Sequence, residues 1–335
     1  MSNGRVALAG ALFALVVLVW PQPLGGDQVS LVPQAPFEHP ALIIQPNQTF
    51  PDPSITWDPA AHVYRLYSTE TLWSNVPEYV AKSETGPWTF VGDALPHRPV
   101  WSKRGFDMWA PEVQDINGVW TMWGSSKIAA FPRINCLYRA TATTAAGPFN
   151  VDPRTQCNDY SQDGDIDPTM SSSGGVWYLI YKINGNTFRL ATKFVSVRLD
   201  PSGLPVGPEH LLLVSDQYWE AGMIEAPSMV LNASNGQWWV VFSAGSFSKT
   251  DPSYEIVAAP CAGLGGPCDI NQVVDLVRTN EQGAGPGEQS VSIDQYGQAW
   301  IPYNPAGPFH DPFLRPLAQV KLDFDLHGLP YVVTP

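Results

Sequence analysis

Five stretches of the chain share one alternation. They are His62-Val-Tyr-Arg-Leu-Tyr-Ser68, Val119-Trp-Thr-Met-Trp-Gly-Ser125, Val176-Trp-Tyr-Leu-Ile-Tyr-Lys182, Gln237-Trp-Trp-Val-Val-Phe-Ser243 and Gln298-Ala-Trp-Ile-Pro-Tyr-Asn304. Each is aromatic-rich and of strand length. Each follows a turn signal: Asp58-Pro59, Asn117-Gly118, Gly174-Gly175, Asn235-Gly236 or Tyr296-Gly297. Tyr64, Trp120, Trp177, Trp238 and Trp300 hold corresponding places, spaced by roughly 55–62 residues, a period that signals a propeller or array. A sparser echo accompanies it. Gly86-Pro87-Trp88 resembles Gly147-Pro148-Phe149, and Val197 to Pro205 resembles Val320 to Pro330. Five copies of a four-stranded sheet predict an all-β chain folded as a five-bladed β-propeller, with negligible helix outside the N-terminal segment.

Composition agrees. Only 15% of the residues are charged, and 28 Gly and 33 Pro favour a turn-rich β protein. The 335 residues suffice for one large domain, and no linker long enough to separate a second is evident. The propeller is expected over residues 36–335. Residues 1–26 read as an export signal peptide or an N-terminal anchor: Arg5 precedes the apolar run Val6–Trp20, and Pro21–Gly26 is the region for cleavage. The run is shorter than the ~20 residues that span a bilayer, so membrane attachment is expected only if it stays uncleaved. A net charge of −13 excludes nucleic acid as partner, because phosphates would be repelled. The chain reads as a secreted or extracytoplasmic monomer. Its four cysteines suit an oxidising compartment, and Cys136–Cys157 with Cys261–Cys268 are the preferred pairs because both close local loops. Zinc binding is the rival reading, though no C-x-x-C occurs; free buried thiols are the plain one.

Three acids share a local grammar. Asp52 stands in Phe-Pro-Asp-Pro-Ser, Asp167 in Asp-Ile-Asp-Pro-Thr and Glu225 in Ile-Glu-Ala-Pro-Ser. A following proline pushes Asp52 and Asp167 toward extended geometry, so both should open strands. Equivalent strand ends of successive blades converge on one funnel. Three acids delivered there make the arrangement that cleaves a glycosidic bond. An inverting hydrolase needs a carboxylate base and a protonated acid ~6.5–9.5 Å apart. Asp167 beside Glu225 would raise the acid's pKa by like-charge repulsion. Arg315 is expected on Asp167 or on sugar hydroxyls rather than on Glu225. Asp163 and Asp165 lack the twelfth-position glutamate of a calcium loop and read as solvated loop acids. Trp73 and Trp219 are assigned to rim loops, and His39 and His310 to surface loops. Asn47 and Asn232 match the glycosylation pattern, which is frequent by chance.

From about Phe37 onward the chain resembles glycoside hydrolase family 43. Asp52 in Phe-Pro-Asp-Pro-Ser matches the family's general base. Glu225 in Glu-Ala-Pro-Ser-Met matches its general acid. Asp167 in Asp-Ile-Asp-Pro-Thr matches the aspartate that tunes the acid and orients substrate. Trp109-Ala-Pro-Glu112 matches the segment leading into the second blade, and Arg315 the late arginine that reaches the sugar. The resemblance implies Arg315 as a substrate-binding residue; Trp109 is a second candidate, open between sugar stacking and core packing, and Glu288 is a third. Glu288 follows Gly285-Pro286-Gly287 where members often carry a histidine near the propeller axis. No cofactor is required on this reading; a structural cation such as calcium near the axis stays open.

The implied substrate is a polysaccharide or oligosaccharide with arabinofuranosyl, xylosyl or related furanosyl linkages. Two alternatives remain. A fructan- or sucrose-active propeller enzyme would carry Asn-Asp-Pro, Arg-Asp-Pro and Glu-Cys, where this chain has Pro-Asp-Pro, Ile-Asp-Pro and Glu-Ala. A non-catalytic glycan-binding propeller would not need all three acids.

Overall fold

Every predicted aromatic run is the second strand of its own antiparallel sheet, and the sheets are the blades of a five-bladed propeller. Blade I holds Ser54–Asp58, Val63–Tyr67, Pro77–Ala81 and Thr89–Asp93. Blade II holds Met108–Ile116, Val119–Lys127, Asn135–Ala142 and Asn150–Gln156. Blade III holds Asp165–Ser173, Val176–Ile183, Lys193–Leu199 and Pro205–Val214. Blade IV holds Ile224–Asn232, Gln237–Ala244, Glu255–Cys261 and Val274–Val277. The computed structural model describes Met1 and residues 42–44, 48–105, 107–157, 162–248, 251–278, 285–305 and 314–333. Of the segment expected as export signal or anchor, all but Met1 lies outside the described residues, as do His39, Asn47 and His310. The chain divides into two units, Met1–Glu38 and His39–Pro335, and every described strand belongs to the second. Helix among the described residues is confined to two single turns, Tyr218–Glu220 and Ile270–Gln272.

Blade V closes the ring with both ends of the repeat region. Its inner strands are Ser292–Ile293, Ala299–Tyr303 and Leu317–Phe324. Its outer position is shared. Leu42–Ile44 pairs with the first half of Leu317–Phe324, and Pro330–Val333 pairs with the second half. Fixing one sheet with strands from opposite ends of the sequence prevents the ring from opening by fraying at either end.

Alternation here separates left from right rather than inside from outside. Leu179 and Tyr181 join Ile116, Trp123 and Leu137 of blade II in one apolar cluster. Ile180, between them, faces the other way and packs with Phe242 and Val257 of blade IV. Similar clusters join blade I to blade II around Tyr67, Met122 and Tyr138, and blade V to blade I around Phe50, Leu66 and Leu317. Sheets buried on both faces explain why the runs are apolar nearly throughout.

The two sequence echoes are two designs for the turn between third and fourth strands. Blades I and II use the Gly-Pro form, as does blade IV at Gly266-Pro267, all three with cis peptide bonds. Blades III and V use the Asp-to-Pro form, turning at Gly203 and Gly328. Both expected disulfides are present, Cys136–Cys157 within blade II and Cys261–Cys268 within blade IV. Asn232 is buried and bonds Ser234 and Gly328, so its match to the glycosylation pattern marks a turn. Trp219 is half-buried against the core between blades III and IV, whereas Trp73 is 88% exposed.

Candidate active site

The first strands of the blades surround the axis, and one backbone device recurs where they begin. Asp52, Ala110, Asp167, Ala226 and Glu288 all have positive φ, between 45° and 54°. Four are followed by proline, and the fifth by Gln289. The extended geometry expected before proline is therefore not adopted at Asp52 or Asp167. In blades II, III and IV the strand register shifts across this residue and its proline. A bulge of this kind re-aims a side chain, here toward the axis. Left-handed backbone at a non-glycine residue costs about 1–3 kcal/mol, and neighbouring blades offset it with hydrogen bonds.

Two sets of bonds span the seams. The backbone N–H of Asp52 donates to Asn304 Oδ1 (3.1 Å), that of Ala110 to Thr69 Oγ1 (2.8 Å), that of Ala226 to Asp167 Oδ2 (3.0 Å) and that of Glu288 to Ser243 Oγ (3.0 Å). Two residues beyond the positive-φ position, Ser54, Thr169 and Ser290 donate to the carbonyls of Pro111, Pro227 and Pro53. Glu112 takes that place in blade II and accepts from Met170 N (2.7 Å). Gln289 Nε2 donates to Ala226 O (2.7 Å), completing the fifth seam.

The shared register corrects one expectation. Asp52 and Asp167 are equivalent, but Glu225 stands one residue earlier than its counterpart, Ala226. The equivalent acid of blade V is Glu288. Asp52, Asp167 and Glu288 line a small axial cavity with Ala110, Glu112 and Ala226.

Each carboxylate has distinct partners. Asp52 lies 2.7 Å (Oδ1) from Arg315 Nη2, and its Oδ2 accepts from the Thr69 hydroxyl. Arg315 thus pairs with Asp52, so of its two expected partners, Asp167 or sugar hydroxyls, the first is not taken. Glu225 is only 4% exposed; its Oε1 accepts from Tyr254 OH (2.6 Å) and its Oε2 lies 2.8 Å from Lys182 Nζ. Burial lifts the Asp167 carboxyl to about 7, with Lys182 opposing and Glu225 adding to the rise. Burial also raises Glu288 well above the usual carboxylate range, aided by Glu225, Asp52 and Asp167 and opposed by Arg315. Gly287 lies flat on Tyr254: a Cβ there would meet the ring at 2.0 Å.

Lys182 and Tyr254 are missing from the sequence-based reading. The signal for Lys182 was present. Ser68, Ser125, Lys182, Ser243 and Asn304 end the five aromatic runs at the same position, and all five are buried. A polar residue closing an apolar run at one place in every repeat marks a ring of supporting groups. Tyr254 belongs to no repeated pattern.

Trp109 is half-buried, with Lys127 Nζ 4.6 Å from its ring centroid, so a cation already covers one face. Asp163 and Asp165 are buried, not solvated; Asp163 Oδ2 accepts from Thr187 N, which ties the strand entrance to the neighbouring loop. Among the described residues no three His, Cys, Asp or Glu side chains are gathered as a metal ion requires. Arg315 already supplies positive charge to Asp52 and Glu288.

Comparisons with known proteins agree with this geometry. Among solved structures, a thermostable family-43 glycoside hydrolase superposes with a TM-score of 0.70 at 20% identity, over 85% of this chain and 93% of that one. An endo-arabinase from Bacteroides thetaiotaomicron gives 0.69 at 18%, over 86% and 99%. The α-L-arabinanase of Cellvibrio cellulosa in complex with arabinohexaose gives 0.66 at 18%, over 85% and 96%. No curated protein sequence matches significantly. The sequence profile described as glycosyl hydrolases family 43 matches residues 45–321, which take in four blades, part of the fifth and the strand-entrance acids. The chain belongs to glycosyl hydrolases family 43 and is a glycosidase.

Proposed function

We propose that this glycosidase inverts configuration and cleaves arabinofuranosyl, xylosyl or related furanosyl linkages in polysaccharides or oligosaccharides. The carrying observation is the pair of unlike carboxylates from blades I and IV. Asp52 is the more open, with a 13% exposed side chain held by Arg315 and Thr69. That access suits a base that deprotonates water. Glu225 is enclosed and suits an acid that protonates the leaving oxygen. Asp167, anchored on the N–H beside Glu225, couples to that acid and orients the sugar. Trp109, Arg315 and Glu288 line the substrate's approach.

The arabinanases among the similar structures, and the endo-1,4-beta-xylanase from Bacteroides thetaiotaomicron, support the choice of sugars. No cofactor is required on this reading. Two disulfides and an apolar N-terminal run support export to an oxidising compartment.

A chromogenic panel of arabinofuranoside, xyloside, galactofuranoside and fructoside tests the substrate. NMR of the first product tests the mechanism. Inverted anomeric configuration is expected; retention would require a nucleophile and a shorter carboxylate gap, and would refute the roles given to Asp52 and Glu225.

A further inference from the structure

Blade III departs from the other four at one position. The second strands of blades I, II, IV and V end their aromatic runs in Ser68, Ser125, Ser243 and Asn304, all short and neutral. Blade III ends its run in Lys182, whose side chain is 0% exposed. Burying an ammonium group is costly unless a partner meets it. The partner is Glu225, 2.8 Å away.

Glu225 is also held by Tyr254, so each of its oxygens already faces a donor in the free enzyme. That is how a site binds an ionised carboxylate, whereas an acid must begin the reaction protonated. Asp167 sits alongside. Its predecessor Ile166 pairs with Lys182 across the sheet, and its own Oδ2 accepts from the N–H that follows Glu225. One lysine therefore flanks two carboxyls.

We propose that Lys182 is a positioning residue for the reaction: it pairs with ionised Glu225 while Asp167 holds the proton, and turns to Asp167 when Glu225 takes that proton. The O–H bond on Asp167 breaks as the one on Glu225 forms. Net charge within the trio is unchanged, so the transfer moves no charge into or out of the buried site. Glu225 then delivers the proton to the leaving oxygen, while Asp52 receives one from water. The lifted titration of Asp167 agrees with a resident proton there. The groups facing Glu225 from the surrounding elements are Lys182 and Asp167 of blade III, Tyr254 of blade IV and Glu288 of blade V; Asp52 and Arg315 lie beyond. This inference rests on Glu225 being the general acid.

The test is Lys182→Met, which keeps an unbranched side chain out to the ε position and removes its charge. kcat/KM is measured against pH on two glycosides, one with a poor leaving group and one with an activated aryl group. Without the cation both carboxyls hold protons more tightly. With the poor leaving group the alkaline limb should rise by about 1–3 pH units, the size of one adjacent opposite charge. With the activated aryl group the profile should keep its wild-type shape. Equal loss on both substrates with an unmoved limb would mean that Lys182 only packs, and the proposal would fall. Should Lys182→Met not fold, the wild-type enzyme decides through the ¹⁵Nζ resonance of its solvent-protected lysine. An inflection at the pH of the kcat/KM alkaline limb supports the proposal; a flat resonance overturns it. Glu225→Ala separates the underlying assignment: equal damage on both glycosides would remove Glu225 as the acid, whatever the Lys182 result.

Discussion

The two sides of the site hold their carboxylates by opposite means. Asp52 of blade I leans on Arg315, from the segment entering the third strand of blade V, and on Thr69, and keeps some solvent access. Glu225 of blade IV is enclosed between Lys182 and Tyr254. A group that must take a proton from water benefits from access and a fixed cation. A group that must receive and release a proton out of contact with water needs neighbours that can compensate either state. The same fold provides both, because each blade offers one strand entrance and one second-strand end, and only the residues there differ.

The largest effect should come from Asp52→Ala. It removes the base for every substrate, so kcat/KM should fall by about 10²–10⁴-fold on natural and activated glycosides alike. Glu225→Ala should match that loss on poor leaving groups but be much milder on activated aryl glycosides, which leave without a proton. Comparing the two variants on both substrates breaks the contrast between the sides if both respond alike.

Asp167→Asn sharpens the contrast further. It deletes the carboxyl lifted to about 7, and with it the second negative charge that forms when the shared proton is lost, leaving Glu225 between Lys182 and Tyr254. The acid then gives up its proton more readily, so the alkaline limb of kcat/KM should move to lower pH. Each unit of movement corresponds to about 1.4 kcal/mol. Reduced activity with an unmoved limb would leave Asp167 only the task of orienting the sugar.

Burial should also appear in stability. Glu84, Glu112, Asp167, Glu220 and Glu255 are all raised to about 7, mainly by burial. Unfolded, they titrate near the ordinary carboxylate value. From about pH 4 to 7 the folded chain therefore binds more protons than the unfolded chain, and stability falls as pH rises through that window. Asp152, held at about 2 chiefly by its bonds from Arg154, acts in the opposite sense and favours folding only above its low folded value. Calorimetry should find the highest Tm at about pH 4–5 and a lower one at pH 8. A Tm that climbs steadily to pH 8 would contradict the burial of these groups. The smallest effect should be that of Thr69→Val, which removes the hydroxyl bridging Asp52 and Ala110 N. It should cost about 1 kcal/mol in thermal unfolding and lower kcat slightly with all substrates.

Sequence alone was enough to determine the blades and the acids. Aromatic runs recurring at a constant interval can bury both faces only by stacking as repeats, which fixed the number of sheets and the place of each second strand. The Asp-Pro and Glu-Ala-Pro segments lie next to those strands, so Asp52, Asp167 and Glu225 were legible together, and the cysteines paired within their own blades as local loop closure implies. What the sequence left open was contact between blades. Lys182 and Glu225 are separated by 43 positions, and Asp52 and Asn304 by 252. No local rule joins such residues, and the pairing of Arg315 with Asp52 likewise depends on how the last blade meets the first. The positive φ before proline reverses a local preference, because bonds across the seam outweigh it. Only the closed ring decides which cation meets which carboxylate, since that depends on the angle between neighbouring blades rather than on any stretch of chain.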